Sequence, residues 1–146
     1  MKEQILNVFA TLGFQLEKLE DMGYSFRYEG VNYLYMPNEE DENFLNIAIP
    51  SIIDIDEDNL HEAMLIEDKI NSTVKYVKAN KFCDGLWLFY ERELYGGEDL
   101  EKLVSQMILH LEASMNYFRR LMAHITTEGE KHDEDNTPTD DTEEDA

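Results

Sequence analysis

Residues 54 to 59 read Asp-Ile-Asp-Glu-Asp-Asn, with carboxylates at Asp54, Asp56 and Asp58. That is the spacing of the first three oxygen ligands in a twelve-residue calcium loop. Such a loop needs glycine at its sixth position for the sharp turn and a bidentate glutamate at its twelfth. Here those positions hold Asn59 and Leu65, and leucine has no oxygen to offer. The preceding run, Asn46 to Ile53, is rich in β-branched residues where a helix would be required. A second acidic group, Glu39 to Glu42, is separated from the loop by a strand whose ten residues span roughly 33 Å. The segment therefore reads as a helix entrance. Asn59 is placed to accept from a first-turn N–H while Glu62 reaches back, as in a capping box. The aspartates stand near the positive end of the helix dipole. No metal and no cofactor are expected.

Other reactive side chains are scattered. Cys83 is the single cysteine and has no evident histidine partner to activate it. His61 begins a predicted helix, His132 falls near the C-terminus, and His110 and His124 lie about four helical turns apart, too far to share a metal. Gly96 and Gly97 precede a helix, but Glu98 and Asp99 follow and would repel a phosphate, so the pair reads as a chain reversal. No phosphate loop, Ser-His-Asp order or Cys-X-X-Cys pair is present, and catalysis is not expected.

The chain has 146 residues and a formal net charge of -21, enough for one ordinary core. Glu128–Ala146 accounts for -9 of that charge without one large aliphatic or aromatic side chain. The expectation is a folded domain over 1–127 and a disordered acidic tail over 128–146. The remaining -12 still repels nucleic acid and anionic membranes and favours basic partners. No apolar run is long enough to cross a bilayer, and the first residues lack the small-residue cleavage site of a signal peptide. With one cysteine, a cytoplasmic location fits best.

Apolar periodicity supplies the elements. Ile5, Val8, Phe9, Leu12, Leu16 and Leu19 predict a first helix, interrupted near Gly13. Two aromatic-rich alternating runs around Glu29 and Gly30 predict a hairpin. Phe44 to Ile53 predicts a third strand, with Pro50 marking a bulge or an edge. Leu60, Met64, Ile66 and Ile70 predict a second helix from about Asn59 to Ser72. Strands on either side of Cys83-Asp84-Gly85 follow, then a third helix from Glu98 to about Thr126, roughly 40 Å long. The predicted fold is α+β, a two-layer sandwich ordered α-β-β-β-α-β-β-α with a mostly antiparallel five-stranded sheet.

The second half adds a resemblance. Ile70 and Asn71 close the second helix, and Asp84 and Gly85 turn between strands. Leu86, Leu88, Tyr90 and Glu91 alternate, Gly96 and Gly97 follow, and the last helix runs through Ser114 and Phe118. Together these features resemble the YbjN-like family, bacterial proteins regarded as regulators of sensory transduction, with the fold of type III secretion chaperones. The resemblance implies a non-catalytic, often dimeric protein. Secretion chaperones of similar fold bind extended segments of partner proteins.

The sharpest functional signal in the residues is apolar. Tyr33 and Tyr35 alternate with Leu34 and Met36, while Leu86, Leu88 and Tyr90 oppose Trp87 and Phe89. Both faces of these strands are apolar, whereas a two-layer sheet covers only one with helices. Either both faces are core or one is an interaction surface. The expectation is a homodimeric protein-binding module, chaperone-like or regulatory. Its surface would be formed by Leu34, Met36, Trp87 and Phe89, with Phe118 and Met122 on the distal third helix. The alternative is an acidic binder of a basic partner, a nucleic-acid mimic.

Overall fold

In the computed structural model, which describes residues 1–134, the first helix stops where a glycine lets the chain reverse its twist. α1 covers Lys2–Thr11, and Gly13 follows at φ 93°. The N–H groups of Gly13 and Phe14 donate to the carbonyls of Ala10 and Phe9, each at 3.0 Å. These are the two bonds of a Schellman ending. Its apolar contact is present too, with the Phe14 ring edge-on to Phe9 at 6.1 Å between centroids. Leu16 and Leu19, which the spacing assigned to the helix, therefore leave it. Glu17–Leu19 becomes a short strand, β1, and the sheet has six strands rather than five.

The remaining strands are β2 (Gly23–Tyr28), β3 (Val31–Tyr35), β4 (Phe44–Asp54), β5 (Lys78–Phe82) and β6 (Gly85–Glu93). They are ordered β1-β2-β3-β4-β6-β5, and every pairing is antiparallel. Glu29 and Gly30, at φ 51° and 77°, form the β2–β3 turn, and Cys83 and Asp84, at 49° and 60°, form the β5–β6 turn. Positive φ at both central residues matches the twist of the flanking strands. β4 is a central strand, so Pro50 marks no edge. It sits in a bulge between Ile49 and Ile53, next to Ser51 at φ 35°. Just past the bulge Gly85 pairs with Asp54, and any Cβ there would collide with the Ser51 side chain.

α2 (Leu60–Thr73) and α3 (Leu100–Glu134) join α1 over one face, giving the expected two-layer α+β sandwich. Phe26, Tyr33, Tyr35, Leu45, Ile47 and Leu88 from the strands share a core with Phe9, Ile70, Val104, Met107 and Leu111 from the helices. Before α3, Glu98 accepts from the N–H groups of Tyr95 and Gly96 at 2.7 and 3.0 Å and pairs with Arg92 at 3.1 Å. The turn that the glycines make thus holds an internal carboxylate. α3 is 35 residues long, about 52 Å, and its backbone passes the expected end near Thr126. Of the tail expected over 128–146, residues 135–146 lie outside those described.

Candidate functional site

The four predicted sheet residues do meet. Cross-strand pairing sets Leu34 opposite Ser25 and Ala48, and Ala48 opposite Phe89, so a row of side chains crosses the face that carries no helix. Trp87 stacks on Phe89 at 5.8 Å, and Phe82 stands edge-on to both at 4.8 and 5.9 Å. Met22 and half-buried Met36 pack against the group. Lys78 lies over the Phe89 ring at 5.8 Å while pairing with Glu91 at 2.8 Å.

This cluster is closed. Leu34 is 1% exposed, Trp87 5% and Phe89 6%. The stacked Trp87 and Phe89 rings and Leu34 cover one another and the small Ala48, with the edge-on Phe82 ring 37% exposed at the rim, so the centre of the face is out of solvent without a helix. Asn46 shares the face, its Nδ2 3.9 Å from Met36 Sδ. Asn46 Oδ1 and Trp87 Nε1 are buried without a hydrogen-bond partner.

The open apolar surface is elsewhere. Along α3 the stripe passes from buried Phe118, 7% exposed and part of the helix-side core, through half-buried Leu121 and Met122 to Ile125 at 45%. Facing it on α2, Ile66 forms a buried floor at 5% exposure, while Leu65 is 56% exposed. These residues line a groove of about 620 Å³ whose polar rim is Glu62, Asp68, Lys69 and His124. Tyr117 Oη and Thr73 Oγ1, 3.3 Å apart, join the two helices at the other end. Of the predicted site residues, only Met122 lies in this groove. Leu65 and Ile125 were missed as site residues. Leu65 stands off the face of α2 marked by Leu60, Met64, Ile66 and Ile70, and a leucine outside the buried stripe was the available signal.

The acidic loop is a structural turn. Asp56 Oδ1 accepts from the N–H groups of Asp58 and Asn59 at 2.8 and 3.0 Å. Asn59 faces backward, accepting from Asp56 N–H at 2.8 Å and donating to the Asp54 carbonyl at 2.7 Å. It occupies the N-cap position of α2 but makes no side-chain cap bond. The expected capping box with Glu62 is therefore absent: the asparagine's oxygen and nitrogen are both spent on closing the loop. Among the described residues no three His, Cys, Asp or Glu side chains are grouped to hold a metal, and no helix is long and apolar enough to cross a membrane. His110 packs against Tyr76 and Tyr90, at 4.8 and 5.9 Å between ring centroids, and Cys83 is exposed at its hairpin tip.

No protein-family model matches the sequence, and no curated protein matches it. Among solved structures, YbjN from E. coli, described as a candidate transcription regulator, matches with a TM-score of 0.64 at 13% identity. The match covers 85% of this chain and 93% of that one. The chain has the YbjN-like fold.

Proposed function

We propose that this YbjN-like fold serves as a non-catalytic protein-binding module, chaperone-like or regulatory, that takes hold of a partner through an apolar surface. The observation that carries the reading is the α2–α3 groove, where Leu65 and Ile125 stand 56% and 45% exposed beside a buried floor. Exposed aliphatic side chains that converge on a trough gain most from being covered. The reactive groups support it indirectly: the acidic loop spends its hydrogen bonds on its own backbone, and Glu98 is engaged by Tyr95, Gly96 and Arg92. The helix-free cluster, to which the sequence pointed first, acts in this reading as a second core under the sheet.

The second reading, a charge-driven binder of a basic partner, rests on the net charge of -21. One experiment separates the two. Immobilised full-length protein, wild type and a Leu65→Gln/Ile125→Gln double variant, is exposed to host lysate and washed at rising salt. The apolar reading expects a partner that survives high salt on the wild type and is lost from the double variant. A partner eluted at moderate salt from both proteins alike refutes it and favours the charge-driven reading.

A further inference from the structure

We infer that the occupant of the α2–α3 groove is an amphipathic helix of another protein, with an aliphatic stripe and lysines or arginines along the flank that faces α2. The inference deepens the protein-binding reading and rests on it. Each wall presents side chains at helical spacing: Glu62, Leu65, Ile66 and Lys69 on α2, and Leu121, Met122 and Ile125 on α3. Two parallel rows with a trough between them accept a third row at positions i, i+3, i+4 and i+7, the helix-in-groove mode. An extended strand has no edge to pair with here, because helix backbones spend their hydrogen bonds internally.

Charge selects the flank. α2 carries Glu62, Glu67 and Asp68 against one cation, Lys69, and the loop before it carries Asp54, Asp56, Glu57 and Asp58. Glu62 and Asp68 line the groove on the α2 side, so an incoming helix meets an acidic flank there, which favours cationic side chains on the side that faces α2.

Other occupants fit less well. Residues 135–146 hold no large apolar side chain with which to fill a trough lined by leucine, isoleucine and methionine. A second copy would bring another charge of -21, and a stable pair buries about 800 Å² on each partner, more than a groove one helix wide supplies.

The test uses the full chain and two labelled synthetic helices of about fifteen residues with the same leucine stripe, one flanked by lysine and the other by glutamate, read by fluorescence anisotropy. The lysine peptide is expected to bind at least about tenfold more tightly than the glutamate peptide. Leu65→Gln and Ile125→Gln should each weaken it by about tenfold. Glu62→Gln combined with Asp68→Asn should weaken it by only about threefold and flatten its salt dependence. Met64→Gln, exposed on α2 but outside the groove, should leave binding unchanged, and circular dichroism checks that each variant folds.

Equal binding of both peptides, or lysine-peptide binding indifferent to Leu65→Gln, overturns the proposal. So does a dimer in sedimentation velocity that Leu65→Gln dissolves, since a second copy would then fill the groove. If either peptide result fails while lysate capture still depends on Leu65 and Ile125, only the partner chemistry is wrong. If capture ignores both residues as well, the protein-binding reading falls with it.

Discussion

Two apolar patches, one on the helix-free face of the sheet and one at the edge of the helix-side core, differ in what covers them. On the helix-free face of the sheet, Leu34, Trp87 and Phe89 are at most 6% exposed, although no helix lies over them. In the α2–α3 groove, two helices flank the patch, yet Leu65 and Ile125 remain about half exposed. Aromatic rings on β5 and β6 seal one another, whereas Leu65 and Ile125, on the lips of two helices, stay open across the gap between them. Aromatic content alone is thus a poor guide to a binding surface, because the residues best at binding partners are also best at covering each other.

The largest expected effect breaks the closed patch. Trp87→Ala removes the ring stacked on Phe89 and touching Phe82, and should cost about 3–5 kcal/mol in urea unfolding, the range for emptying a buried aromatic site. A loss under about 1 kcal/mol would mean that the face is open and that the two patches are alike.

Next in size is the clasp on β5, the strand that brings Lys78 and Phe82 to the closed patch. The Asn71 side chain donates to the Ala79 carbonyl at 3.0 Å and accepts from its N–H at 2.7 Å. It serves the outer edge of the sheet as a neighbouring strand would, and it blocks that edge against other chains. Asn71→Ala should cost about 1–3 kcal/mol, since it strands two backbone groups. If β5 helps to close the face, iodide quenching of Trp87, the single tryptophan, should rise in this variant. Unchanged quenching would show that the rings close the face unaided.

The helix-covered face offers a third contrast, because it buries the ionisable side chains of Tyr33 and Tyr35. Burial, with smaller contributions from nearby carboxylates, pushes the phenols of Tyr33 and Tyr35 well above the ordinary value of 10.0. A folded pKa above the unfolded one gives stability that is whole below pH 10 and is lost as pH rises past it, because only the unfolded chain readily ionises. The expected loss is about 1.4 kcal/mol per pH unit for each tyrosine, read from urea unfolding between pH 9 and 11. A Tyr35→Phe variant should show a shallower decline. The same slope in wild type and variant would mean that alkaline unfolding starts elsewhere.

Much of this architecture was legible in the sequence. The hairpin turn at Glu29-Gly30, a turn within Cys83-Asp84-Gly85, a break at Pro50 and the long α3 stripe follow from glycine and proline positions and from periodicity, although the second turn takes its positive φ at Cys83 and Asp84 and leaves Gly85 to β6. The gathering of Leu34, Met36, Trp87 and Phe89 on one face followed from strand alternation. β1 did not show, because Glu17, Lys18 and Leu19 are all exposed and so carry no alternation. The capping box failed at Asn59 for a related reason: which of several nearby backbone groups an asparagine side chain binds depends on a loop path that composition does not specify. The groove was half visible. Ile125 stood on the α3 stripe, but its openness depends on how far α2 reaches along α3, which is a tertiary fact.

The smallest expected effect is also the one that keeps the two patches distinct. Leu65→Gln should change stability by no more than about 0.5 kcal/mol, as for a surface substitution without special contacts. Glutamine is nearly as good a helix former as leucine, and at 56% exposure the lost side chain gives up little burial. The adjacent Ile66, 5% exposed, is the internal standard, and Ile66→Ala should cost about 2–5 kcal/mol in the same thermal or urea melt. Neighbours in sequence would thus differ severalfold in stability, while the exposed one governs binding. If Leu65→Gln destabilised the chain as much as Ile66→Ala, the groove would be closed in solution, and its apolar lining would be core rather than docking surface.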